Sequence, residues 1–217
     1  MKRIWSLFLS VSLLLAAFAL PGTAYAATTT GGTCGSGATW TFDSATGVLK
    51  IEGSGIVTRS ADWPSGIVRV EAGDQITSIA NNTFKNASDL IEADFPGVTD
   101  IGRETFYGCK KLEKVNAPQV VEIDGTCSLG VSANNVSYNP FGVFTHCTAL
   151  QYVNIPSVTS IGPAAFADCP ALKEINLPSV TSIGTAAFAD CSALKEINLS
   201  GVTRIDRCAF AGCSALQ

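Results

Sequence analysis

The sequence predicts an α/β repeat solenoid preceded by a small β-hairpin cap, and three observations carry that reading. A 22-residue phrase occurs twice in succession, as VTSIGPAAFADCPALKEINLPS at 158–179 and VTSIGTAAFADCSALKEINLSG at 180–201. It extends in both directions to six copies, whose V-T-S-I elements begin at Ile76, Val98, Val120, Val158, Val180 and Val202. Apolar columns keep register with it. Phenylalanine recurs at 84, 106, 144, 166, 188 and 210. Three positions later stand Ala87, Cys109, Cys147, Cys169, Cys191 and Cys213, and three beyond those Leu90, Leu112, Leu150, Leu172, Leu194 and Leu216. Self-similarity at a fixed short period marks a stacked array. A catalytic site needs a few unlike groups in one place, whereas a repeated phrase specifies a repeated shape.

Residues 1–26 read as a secretory signal peptide. Lys2 and Arg3 precede an apolar stretch over Ile4–Leu20, and Ala24-Tyr25-Ala26 supplies the small-residue cleavage pattern. The alternative is a retained anchor, since the apolar run is nearly long enough for a bilayer of roughly 30 Å. The A-x-A site favours cleavage, and no cysteine follows it to carry a lipid. No later stretch is apolar enough to span a membrane. Removing Lys2 and Arg3 takes the formal charge from −4 to −6. That acidic balance argues against nucleic acid or anionic lipid, whose binding rests on Lys and Arg.

Residues 27–66 form the expected cap. Trp40 and Phe42 alternate with Thr39 and Thr41, the polar turn DSATG follows, and Leu49 and Ile51 alternate with Lys50 and Glu52. This is a hairpin signal, placed where a solenoid needs its first coil covered. IVRVEAG at 67–73 reads as a degenerate first strand. Over 67–217 each copy reads as a short strand, a V-x-x-I element, a glycine-marked turn and a brief helical turn. Ile175 and Leu177 alternate with Glu174 and Asn176, which is strand periodicity. Phe166 and Cys169 are three apart, close to one helical turn, and Pro163 suits a first helical position. The third copy carries 16 extra residues, so the step from Val120 to Val158 is 38. One copy cannot bury enough apolar surface to offset its own ordering; stacking is required.

The pattern L-x-x-I-x-L-x-x-V-x-x-I-G-x-x-A-F-x-x-C resembles the BspA-like leucine-rich repeats of bacterial surface proteins over about residues 67–217. The resemblance implies a right-handed superhelix with a parallel β-sheet on one face. It also implies adhesion or macromolecular recognition rather than catalysis.

Few residues invite a chemical role. Five of the eight cysteines share one column and read as small buried residues. A row of ligands one coil apart does not make the tetrahedral cluster that zinc needs. Cys34, Cys127 and Cys208 break the column, with Cys127 in the insertion and Cys208 three coils on. A Cys34–Cys127 bridge is one pairing; free thiols are the default. His146 is the one histidine, at a position held elsewhere by Asn86, Gly108, Asp168, Asp190 and Gly212, which reads as an exposed turn. No catalytic, cofactor-binding or metal site is assigned, and the chain reads as a non-enzyme.

Two outward columns are the candidate binding surface. Asp94, Asn116, Asn154, Asn176 and Asn198 form one; Glu92, Lys114, Tyr152, Glu174 and Glu196 form the other. They read either as a solvated face with an amide ladder or as a recognition surface. The aromatic Tyr152 stands out, as aromatics are enriched where partners bind. The insertion, near 125–140, is rich in Gly, Ser and Asn and reads as a loop, with Tyr138 and Phe141 its adhesive elements. Asn116, Tyr152, Asn154, Glu174, Asn176, Glu196, Asn198 and Tyr138 are therefore the candidate ligand-binding residues. The expected partner is a protein or glycan on host or neighbouring cells, and the expected location is secreted or extracellular, in association with the cell surface. The alternative role is a stalk for a catalytic or wall-anchoring domain. CSALQ stops where other copies continue CSALKEINL, which reads as a truncated end whose uncapped edge invites association.

Overall fold

The computed structural model describes residues 29–132 and 135–217, so the signal-peptide reading of residues 1–26 lies outside the described residues. The chain winds through two parallel ladders. The first sets Val48–Gly53, Arg69–Ala72, Glu92–Asp94, Lys114–Asn116 and Tyr152–Asn154 side by side. Glu174–Ile175 and Glu196–Ile197 pair beyond it as a separate parallel couple. The V-x-x-I element supplies the second, seven-stranded ladder: Gly55–Val57, Ile76–Ile79, Asp100–Ile101, Glu122–Ile123, Ser160–Ile161, Ser182–Ile183 and Arg204–Ile205. Its register is the sequence repeat itself, with Ser160 opposite Ser182 and Ile161 opposite Ile183. The recurring threonine has a reason. Thr181 sends both its amide and its hydroxyl to the Thr159 carbonyl, at 2.9 and 3.2 Å, and Thr203 does the same to Thr181.

The cap joins this array without a seam. Ala38–Asp43 pairs antiparallel with Val48–Gly53, and Thr29–Thr33 adds an outer strand. Trp40, Phe42, Leu49 and Ile51 are buried, as the alternation predicts. Val48–Gly53 also pairs in parallel with Arg69–Ala72, so the hairpin's second strand is the first rung of the first ladder.

Inside, the phenylalanine column is continuous. Phe166 and Phe188 stack at 5.2 Å between centroids with planes 1° apart, and the pairs 106/144, 144/166 and 188/210 lie at 5.4, 5.0 and 5.5 Å. Trp63 extends the stack beyond the first copy, 5.0 Å from Phe84. Leu90, Leu112, Leu150, Leu172 and Leu194 are fully buried beside it.

The expected helical turns are absent: among the described residues no helix occurs. Between Ala186 and Cys191 the amides instead alternate. Those of Ala186, Phe188 and Asp190 donate forward to the carbonyls of Arg207, Ala209 and Ala211 in the next coil, at 3.0, 2.8 and 2.7 Å. Those of Ala187, Ala189 and Cys191 fold back three residues, to Gly184, Ala186 and Phe188. A helix would turn every amide back along its own axis; here half of them bond coil to coil. The three-residue spacing of Phe and Cys is thus met by consecutive tight turns. This path needs left-handed backbone at two columns. One holds Asn82, Glu104, Ala164, Ala186 and Cys208, the other Asn86, Gly108, His146, Asp168, Asp190 and Gly212. Asn, Asp, His and Gly are the types that tolerate that region, which explains why His146 shares a position with them.

The cysteine column also does more than fill space. Each thiol reaches the phenylalanine carbonyl of the preceding coil: Cys109 to Phe84, Cys147 to Phe106, Cys169 to Phe144, Cys191 to Phe166 and Cys213 to Phe188, all at 3.0–3.1 Å. Burial drives the Cys109 thiol up to about 12 and those of Cys147, Cys169 and Cys191 well up from the ordinary value of 9.0. They stay protonated, as donors must.

The insertion is not a loop. Gly125–Ser132 and Asn135–Gly142 form an antiparallel hairpin, pairing Gly125 with Gly142 and Cys127 with Pro140. Alternating Leu129, Val131, Val136 and Tyr138 among Ser and Asn carries a strand signal that the polar composition masks.

Three outcomes follow from this packing. Phe166→Ala removes a ring from the middle of the stack and should cost about 3–5 kcal/mol in urea-induced unfolding. Gly108→Ala, which would stabilise a helix, should instead cost about 1 kcal/mol, because Gly108 has φ +70° and a Cβ there meets the Asn86 side chain. The raised thiols bind protons in the folded chain that the unfolded chain releases near pH 9.0. Their stabilisation is therefore complete below that pH and lost as pH climbs above it, toward about 12 for Cys109, at up to about 1.4 kcal/mol per pH unit for each thiol. Urea midpoints at pH 7.5 and pH 10 measure it; equal midpoints would contradict the assignment.

Candidate interaction surface

The outward residues of the first ladder divide into two zones. Near the cap the charges neutralise each other, with Arg69 pairing with Glu71 at 2.8 Å and with Glu92 at 3.3 Å. The next coils carry an amide ladder: Asn116 Nδ2 donates to Asp94 Oδ1 and Asn154 Nδ2 donates to Asn116 Oδ1, each at 2.7 Å. Asp94, Asn116 and Asn154 are half-buried, so these polar groups hold neighbouring coils together.

The ladder then breaks. Tyr152–Asn154 does not continue into Glu174–Ile175, although the second ladder runs on unbroken through Ser160–Ile161 and Ser182–Ile183. Beyond the break Asn176 and Asn198 are exposed. Asn198 turns its Oδ1 to the Ser200 amide at 3.0 Å. Tyr152 stands at the break with 49% of its surface exposed. With Gln151, Lys173, Glu174, Lys195 and Glu196 it lines a shallow groove. Lys173, Lys195, Glu174 and Glu196 are exposed, and the ion pairs of the described residues involve none of the four. The structure thus gathers Tyr152, Glu174 and Glu196 into one groove and commits Asn116 and Asn154 to coil–coil bonding. Tyr138 lies on the insertion hairpin, its side chain outside the described residues.

A second polar hollow was not legible from the repeat. On the turn side, Asn86, Tyr107, Gly108, Lys110, His146, Thr148 and Asp168 surround it. His146 Nδ1 lies 2.6 Å from Asp168 Oδ2 in the next coil, and its ring meets Tyr107 edge-on at 5.2 Å. Tyr107 also has the Lys85 ammonium over its ring at 4.8 Å and stacks with Phe141 at 6.3 Å. The adjacent Cys147 thiol points the other way, into the core. Left-handed turn residues one coil apart face each other, which brings His146 to Asp168. Among the described residues no group of three or more His, Cys, Asp or Glu is placed to hold a metal ion, and no helix is long and apolar enough to cross a membrane.

Comparison with known proteins agrees with this architecture. A leucine-rich repeat protein from Bacteroides ovatus is 25% identical with a TM-score of 0.55 over 83% of this chain. This chain spans 45% of that protein's length. The leucine rich repeat protein of T. pallidum has the same fold, with 20% identity and a TM-score of 0.54 over 82% of this chain and 87% of its own. No curated protein matches the sequence significantly. The family of the BspA type leucine rich repeat region matches residues 64–128 and 127–217 in six copies, and the chain belongs to that family.

Proposed function

We propose that this chain is a non-enzymatic recognition module, exported to the cell exterior, that binds a protein or glycan through the groove around Tyr152. The exposed tyrosine beside unpaired Lys173, Lys195, Glu174 and Glu196 carries the reading. An aromatic anchor rimmed by charges that no neighbour satisfies is the usual composition of a contact surface. The coils beneath it are still tied together through the second ladder and the turns, so little ordering would be needed on binding. Asn176 and Asn198, exposed on the same row, extend the surface, and Tyr138 on the hairpin is a separate contact. Export is proposed on the amino-terminal pattern of residues 1–26 and on membership of the repeat family. The family's repeat proteins are generally non-catalytic, which favours binding over turnover.

A second reading has one observation behind it. Because the chain spans 45% of the Bacteroides ovatus protein, the repeats can also serve as a spacer that positions another domain.

The two readings part on one measurement. Extracellular matrix proteins and a glycan array are probed with the purified chain, and any ligand retained is re-measured with Tyr152→Ala and with Glu174→Lys/Glu196→Lys. Tyr152→Ala should weaken binding about tenfold or more, and the charge reversal should alter its salt dependence. A retained ligand indifferent to both variants removes the groove from the proposal, and no retained ligand at all supports the spacer.

A further inference from the structure

The insertion hairpin lies on the turn side of the coils that follow it. A Cβ built on Gly125 would run into the Pro163 carbonyl and come within 3.0 Å of the Gly142 Cα, and one on Gly142 would come within 2.6 Å of the Ala165 Cα. The base of the hairpin therefore rests directly on the backbone at Pro163–Ala165. Ala164 and Ala186 are fully buried, whereas their equivalent Asn82 is exposed and Glu104 only half-buried. Pro140, on the returning strand, is buried as well. The next member of that column after Ala164 and Ala186 is Cys208.

Parity and length now place Cys127. Residues two apart in a strand face the same side. Gly125 faces the Pro163 backbone, so Cys127 faces the solenoid too. Two residues advance the strand by about 6.6 Å, while coils are stacked roughly 4.8 Å apart. Starting from the coil of Pro163, Cys127 comes to lie between Ala186 and Cys208. Both cysteines are half-buried and free, unlike the buried thiols of Cys109, Cys147, Cys169 and Cys191 in the core column, whose last member, Cys213, is half-buried but donates to the Phe188 carbonyl. The Cys127 thiol is held up first by its burial and then by the Cys208 thiol, which agrees with their being neighbours. Cys34 sits instead in the cap, where its carbonyl accepts from the Thr58 amide at 2.7 Å.

We propose that Cys127 and Cys208 are a disulfide site, which fastens the insertion hairpin to the coil two turns beyond its base. The reaction needs a two-electron oxidant, and a low-molecular-weight disulfide supplies it. One cysteine thiolate attacks the reagent's S–S bond and expels one reagent thiol. The second cysteine then displaces the other, forming the Cys127–Cys208 bond. Both protein thiols give up their protons, and the reagent leaves as two thiols.

The full chain is incubated with oxidised glutathione at pH 8, and its intact mass, thiol titre and unreduced peptide map are measured. The proposal expects a loss of two hydrogens in mass and of two of the eight thiols, with one cross-linked peptide pair joining Cys127 to Cys208. The melting temperature should rise by about 5–10 °C and fall back on reduction, since the link closes a long loop. Cys127→Ser and Cys208→Ser should each abolish the cross-link and the rise, with the circular dichroism spectrum unchanged, while Cys34→Ser keeps both. Persistence of all eight thiols, stable glutathione adducts on Cys127 or Cys208, or a cross-link through another cysteine would each overturn it. The outcome is independent of whether the Tyr152 groove binds anything.

Discussion

The rings of Phe84, Phe106, Phe144, Phe166, Phe188 and Phe210 cannot be buried one at a time. From Phe84 to Phe188 each is covered by a ring before it and a ring after it, at centroid separations of 5.0–5.7 Å, and Phe210 is covered by Phe188 on one side. A coil shifted by one residue would lose this contact, both parallel ladders and the forward amide bonds of the turns together. The register is therefore set by several interactions with the same period. That agreement is what lets a coil of so few apolar residues adopt one structure. Trp63 serves the same end where no phenylalanine precedes Phe84.

Along the second ladder and the turns neighbouring coils satisfy the backbone, and side chains there add second donors to carbonyls that already accept an amide. The Cys213 thiol does so at the Phe188 carbonyl, which also accepts from the Cys191 amide, and the Thr181 hydroxyl does so at the Thr159 carbonyl on the rim of the second ladder. The outward groups are then free to differ from coil to coil. Near the cap they bond to each other, and after Asn154 they do not. The break in the first ladder coincides with that change, and an exposed aromatic stands there. Rigidity from the second ladder, which continues past the break, keeps the groove from collapsing.

Much of this was legible in the letters. The period, the core columns, the cap hairpin and the prominence of Tyr152 all follow from apolar spacing, which is a local property. The turn side did not follow. A three-residue interval between Phe and Cys is shared by helices and by successive tight turns, and only the destination of the amides tells them apart. Composition at the His146 position, with its Asn, Gly, Asp and His, carried the missing clue of a left-handed backbone. The amide ladder was foreseen as one option, but which asparagines would join it depends on where the sheet breaks. No periodicity encodes that. Cys127 and Cys208 looked three coils apart because chain distance was counted from the insertion's origin, and a hairpin that reaches forward changes that count.

The same hairpin accounts for the alanine-rich turns that two neighbouring copies share. Where the turn side is open to solvent, it carries Asn82 and Lys85, then Glu104 and Tyr107. Under the hairpin it reads Ala164-Ala165-Phe166-Ala167 and Ala186-Ala187-Phe188-Ala189, and all of these are fully buried. A strand pair can lie on a coil only if nothing longer than a methyl group stands up between them, so Ala164 and Ala167, and Ala186 and Ala189, are held to alanine for one steric reason. In the last coil the requirement lapses at Ala211, which is exposed, and a cysteine replaces alanine where the hairpin strand reaches its end of the column. The alanine turns of the doubled phrase thus record two successive surfaces under a single cover, which is more than repetition alone would require.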